Sequence, residues 1–136
     1  MKFRENIVLE PADIAVSSSD ERFLKKLMEA IERHMAEPEC GTETLAAEVC
    51  MSRMQLNRKL HALTGRSTHE FLRAQRLKRA AQLLHHHGGN VSEVAYEVGF
   101  ASPSHFAQAF KEQYGMSPSD YAGKSPQSPG QNSFDP

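Results

Sequence analysis

Leu45-Ala46-Ala47-Glu48-Val49-Cys50-Met51 returns 49 residues further on as Val94-Ala95-Tyr96-Glu97-Val98-Gly99-Phe100. After one inserted residue the echo continues at an offset of 50, where Leu56, Leu60, Gly65, Ser67, Glu70 and Phe71 match Phe106, Phe110, Gly115, Ser117, Asp120 and Tyr121. Two copies fall short of the roughly three that a stacked array requires, so the repeat marks a small unit that has been duplicated.

Each copy reads as a short helix, a tight turn and a second helix. In the first, Thr42 or Glu43 to Val49 forms the short helix and Cys50-Met51 the turn, and Ser52 caps the next helix with Gln55 three residues on. In the second, the short helix starts at Asn90 or Ser92, Gly99-Phe100 turn the chain, and Ser102-Pro103 open a helix with proline in its first position. Ala46 and Ala95 are small where the paired helices must cross closely. This is the pattern of two helix-turn-helix units, 42–64 and 91–114. A helix over 68–86, capped by Ser67 and ended by Gly88-Gly89, joins them. Its about 19 residues span about 28 Å, a spacing suited to successive major grooves about 34 Å apart.

Outward from this core, Ser18-Ser19-Asp20-Glu21 has capping-box form. Phe23, Leu24, Leu27, Met28, Ile31 and Met35 follow at helical spacing, and the helix stops before Pro38. Residues 1–17 read as a connector arm, extended and interrupted by Pro11. Residues 123–136, rich in Pro, Gly and Ser, read as a disordered tail that cannot repay its ordering entropy. The fold class expected is all-α: two homeodomain-like helix-turn-helix subdomains joined by a long linker helix, over 18–122.

Composition excludes several classes. The chain has 136 residues, 39% of them hydrophobic, and no apolar run near the roughly 20 residues of a membrane span. Nothing at the N-terminus resembles a secretory signal, so no membrane contact and a cytoplasmic location are expected. Cys40 and Cys50 are too sparse for a disulfide framework or a zinc site and read as reduced thiols. His85-His86-His87 point about 100° apart on a helix and lack acidic or cysteine ligands at a regular spacing, so no metal is expected. No phosphate loop, GxSxG elbow or HExxH motif occurs, and neither a cofactor nor enzymatic activity is expected.

The formal net charge of −1 conceals a division. From Asp20 to Cys50, eight acids face four basic residues, for a net −4. From Ser52 to Arg79, eight basic residues (Arg53, Arg58, Lys59, Arg66, Arg73, Arg76, Lys78, Arg79) face Glu70 alone, for a net +7, the footprint of a phosphate-binding surface.

On the helix after Ser52, Leu56, Leu60 and Leu63 form the inward stripe and Met54, Asn57, Arg58 and His61 lie opposite. Arg58 suits guanine, Asn57 adenine and Met54 a thymine methyl. For a lone helix such a face is more often just solvated; the turn, the cap and the surrounding charge favour base reading. On the helix after Ser102, Phe106 and Phe110 point inward, Ser104, Gln108 and Lys111 outward, with His105 on the flank. Phosphates fall to Ser52, Arg53, Lys59, Arg66, Ser102 and Lys111. The basic residues of the linker helix cannot all face DNA, and Arg76 is the candidate to pair internally with Glu48 or Glu97.

From Phe23 to Tyr121 the sequence resembles the AraC/XylS family DNA-binding domain. The specific part is Val91-Ser92-Glu93-Val94-Ala95-Tyr96-Glu97-Val98-Gly99-Phe100, Ser102-Pro103-Ser104-His105-Phe106, Phe110-Lys111 and Tyr114-Gly115-Met116-Ser117-Pro118-Ser119-Asp120-Tyr121. The resemblance implies seven helices, monomeric contact with two grooves of double-stranded DNA, and base contacts by Met54, Asn57, Arg58, Ser104, His105 and Gln108. Many members carry a basic residue at the place of Gln108 and proline at that of Thr68. Ile7 to Leu24 is similar to the connector before this domain in response regulators and hybrid sensor proteins, which implies an upstream receiver or sensor domain; RNA polymerase is a further candidate partner. Competing readings are a small stand-alone regulator of the same family and a helical protein-interaction module without DNA binding.

Overall fold

The computed structural model describes residues 17–87 and 90–124, and seven helices stand among them. They are α1 (Ser18–His34), α2 (Thr42–Glu48), α3 (Arg53–Thr64), α4 (Thr68–His87), α5 (Val91–Glu97), α6 (Pro103–Tyr114) and α7 (Pro118–Gly123). No strand occurs among the described residues. The chain divides into two compact units, one ending at Gln75 and the other beginning at Arg76.

Side-chain caps decide where most helices begin. Ser17, Ser52, Asn90, Ser102 and Ser117 each accept a hydrogen bond from the backbone N–H three residues on, which satisfies a donor the helix itself leaves unpaired. At Ser52 the bond is reciprocal, since the Gln55 side chain accepts from the Ser52 N–H at 2.9 Å. Ser67 and Glu70 form the same box at the start of α4. The serine expected as part of the arm, Ser17, is thus the α1 cap. At the other end α7 runs through Gly123, so the helical chain extends past the point where the tail was expected to start. Residues 1–16, 88–89 and 125–136, which hold the rest of the arm, the glycine stop and the remaining tail, lie outside the described residues.

In the first unit α1 buries Phe23, Leu24, Leu27, Ala30 and Ile31 with Leu45 and Ala46 of α2 and Leu56, Leu60 and Leu63 of α3. Phe71 and Leu72 join that core from the first turns of α4. In the second, Leu77, Ala80 and Leu84 of α4 are buried, as are Val94 and Ala95 of α5 and Phe106, Ala109 and Phe110 of α6. An aromatic chain links Phe100, Phe106, Phe110, Tyr114 and Tyr121, with neighbouring centroids 4.6–5.7 Å apart.

The duplication is geometric as well as textual. Met51 N–H donates to the Ala46 carbonyl at 2.9 Å, and Phe100 N–H to that of Ala95 at 3.0 Å. Gly65 and Gly115 close α3 and α6 at φ of 78° and 80°. The turns themselves both use the left-handed region, Cys50 at φ 60° and Gly99 at φ 97°. Cys50 is the one non-glycine residue at positive φ among the described residues.

Candidate nucleic-acid interface

Burial of the Leu56, Leu60 and Leu63 stripe fixes the rotation of α3 and so presents Arg53, Met54, Gln55, Asn57, Arg58 and His61 to solvent. Met54 is 68% exposed, an unusual state for a large apolar side chain and one suited to a thymine methyl. Phe106, Ala109 and Phe110 do the same for α6, leaving Ser104, His105, Gln108 and Lys111 exposed. All six residues expected to read bases, and Arg53 and Lys111 from the phosphate set, therefore stand on the outer faces of the second helices. Arg66, Ser102 and Lys59 are half-buried.

Several residues of the expected contact set have partners within the protein. Lys59 Nζ lies 3.1 Å from Asp20 Oδ1 and 5.2 Å from the centroid of the Phe23 ring. The Lys59 hydrogen bond holds the Asp20 carboxyl below its usual range. At the repeat offset of 50, Lys59 corresponds to buried Ala109, so its stem leaves the helix on the packed side and its ammonium reaches α1. Asn57 Oδ1 accepts the Thr68 N–H at 2.8 Å. Ser52 uses its N–H and its hydroxyl oxygen in the capping box.

The Glu48 carboxylate pairs with Arg33 and with His34 Nε2, the latter at 2.9 Å. Arg33 and His34 lie one helical turn from Glu37, whose carboxylate meets His34 Nδ1 at 3.0 Å. With a carboxylate on each ring nitrogen, the charged form of His34 is favoured: first Glu48 and then Glu37 raise its pKa, while His34 and then Arg33 lower that of Glu48. The cluster fastens the end of α1 to α2.

In the histidine run, His85 Nε2 is 3.1 Å from the Tyr121 hydroxyl and the His86 Nδ1–H donates to the Gln82 carbonyl. No group of three or more His, Cys, Asp or Glu among the described residues is placed to hold a metal. No helix among them is long and apolar enough to cross a membrane. Cys40 is buried and Cys50 exposed, and neither is part of a disulfide.

His61 corresponds to Lys111 in the repeat and, like it, is exposed.

A helix-turn-helix domain model matches residues 45–124. The chain is 38% identical over 120 residues to histidine kinase P4 of Formosa agariphila, which covers 88% of the chain but 9% of the kinase. It is thus similar to a small part of that protein. Among solved structures, the C-terminal domain of AraT, a response regulator from Geobacillus stearothermophilus, matches with TM-score 0.68 and 26% identity over 80% of this chain and 87% of that one. The DNA-binding domain of AdpA, a global transcriptional factor solved with a target DNA, matches with TM-score 0.66 and 36% identity over 74% of this chain and 88% of that one.

Proposed function

The chain belongs to the AraC/XylS-type helix-turn-helix family, and from that premise we propose that it is the DNA-reading output part of a bacterial two-component signalling protein. It binds double-stranded DNA to regulate transcription, as does the DNA-binding domain of the transcriptional factor AdpA, solved in complex with a target DNA. The observation that carries the reading is the outer face of α3. Met54 and Arg58 are presented there beside Arg53 by a buried leucine stripe, behind a turn that recurs in the second unit.

Each unit lays its second helix in a major groove. Arg58 donates in bidentate fashion to a guanine and Met54 packs on a thymine methyl, while Ser104, His105 and Gln108 read a second half-site. Arg53, Arg66 and Lys111 neutralise phosphates, and Ser52 and Ser102 place helix starts beside them. The similarity to a part of a histidine kinase and to the C-terminal domain of a response regulator supports a sensor or receiver domain before this one in the whole protein, which would act in the cytoplasm.

Selection from randomised duplexes with the full chain tests the binding activity: one bipartite sequence should be enriched. Failure to retain any duplex at low salt sinks the reading in favour of a protein-interaction module. For the signalling context, the coding frame upstream of Met1 should encode a receiver or kinase region; a stop codon directly before Met1 would point to a stand-alone regulator.

A further inference from the structure

We infer that Asn57 is a positioning residue that ties the recognition helix α3 to the start of α4, and that it does not read an adenine. The inference rests on the DNA-binding function proposed above.

The first N–H groups of a helix have no acceptor within it. At the start of α4, Glu70 N–H is taken by the Ser67 hydroxyl, and Ser67 N–H by the Glu70 carboxylate. Phe71 N–H donates to the Ser67 carbonyl. Thr68 N–H is supplied from outside the helix, by Asn57 Oδ1 at 2.8 Å. Thr68 is only 1% exposed, so water is a poor substitute. Pairing with adenine in bidentate form requires the Asn carboxamide to accept from N6 and donate to N7 together. With one lone pair of Oδ1 held by the Thr68 N–H, the carboxamide is oriented toward the start of α4, and reading an adenine requires it to serve the helix start and the base edge together.

The repeat supplies an internal control. At the offset of 50, Thr68 corresponds to Pro118, which has no N–H to satisfy, and Asn57 corresponds to Ala107, which has nothing to accept with. Donor and acceptor are both present in the first unit and both absent from the second. An asparagine kept for base reading has no reason to follow the residue eleven positions on; an asparagine kept to hold that residue's N–H does. The tie sets the pose of α3, and Arg58, the adjacent residue, takes its place from that pose.

The test uses the full chain and the duplex obtained by selection, with every single-base variant of the site. Asn57→Ala should weaken binding to all of them by about tenfold, the scale of a lost buried hydrogen bond, with the order of base preferences unchanged. Thr68→Pro removes the N–H at a helix position that accepts proline. In that background Asn57→Ala should cost nothing further. Asn57→Asp keeps the acceptor and loses the donor to adenine, so it should restore the slow hydrogen exchange of the Thr68 amide that Asn57→Ala abolishes, and keep the base order. Loss of preference at one A·T pair in Asn57→Ala, or an equal loss with and without Thr68→Pro, overturns the inference. If the wild-type chain binds no duplex at all, the proposed function has failed; Thr68 exchange then still tests the tie, and an amide indifferent to Asn57→Ala refutes it.

Discussion

At the scale of single residues, two side chains of the basic stretch have opposite fates for a reason of register. Arg58 is exposed, as is its counterpart Gln108, whereas Lys59 sits where the second unit has buried Ala109. Arg58→Ala should relax preference at one base pair and cost about 1–3 kcal/mol of binding, read from affinities for site variants. Lys59→Ala should leave the order of base preferences intact and lower thermal stability by less than about 1 kcal/mol, the scale of a partly exposed ion pair. The His34 cluster makes a pH prediction. A histidine whose folded pKa is raised stabilises the fold fully below about 6.5, the unfolded value, and loses that contribution as pH rises through the higher folded value. The stability advantage of wild type over His34→Gln should therefore shrink as melting is repeated at increasing pH above about 6.5. A constant difference at all pH values would show that the imidazolium contributes nothing. At the acid end Glu48, whose pKa is lowered, loses its contribution as pH falls through that folded value.

At the scale of elements, the helix starts were legible because serine, asparagine and proline carry their meaning locally. Ser52 with Gln55, Ser102 with Pro103 and Ser67 as a cap needed no knowledge of the fold. Rotation of α3 and α6 was legible too, since leucine and phenylalanine spacing fixes which side is buried. What periodicity did not disclose was partnership across elements: Asn57 with Thr68, Lys59 with Asp20, and Glu48 with Arg33 and His34 are separated by 11 to 39 residues. Such pairs depend on where helices cross, which a period of 3.6 does not encode. The two turns share a backbone and differ in the residue that carries it. A left-handed backbone costs a β-carbon roughly 1 kcal/mol or more, and Cys50 bears that cost where Gly99 does not. Cys50→Gly should raise the stability of the first unit by up to about 1 kcal/mol, reduced by the greater freedom glycine has when unfolded. A chemical denaturation midpoint that falls would refute this.

For the whole molecule, the division of charge is the main determinant of how binding behaves. If Arg53, Arg66 and Lys111 neutralise phosphates as proposed, at about −0.9 each, log K against log salt concentration should have a slope of about −3, and Arg53→Ala should reduce it by about one. A slope unchanged in that variant would remove Arg53 from the phosphate set. The charge map was legible as a contrast between neighbouring stretches, and a mean of −1 would have concealed it. The two-unit plan was legible from the repeat alone.

The aromatic chain of the second unit has an optical consequence. The protein has no tryptophan, and its three tyrosines, Tyr96, Tyr114 and Tyr121, all fall after Gln75. Tyrosine emission therefore reports on the second unit only, whereas far-ultraviolet circular dichroism registers helices in both. A denaturant titration followed by the two signals distinguishes one cooperative transition from two without any label: coincident curves mean the halves unfold together, and separated curves give the midpoint of the second half directly.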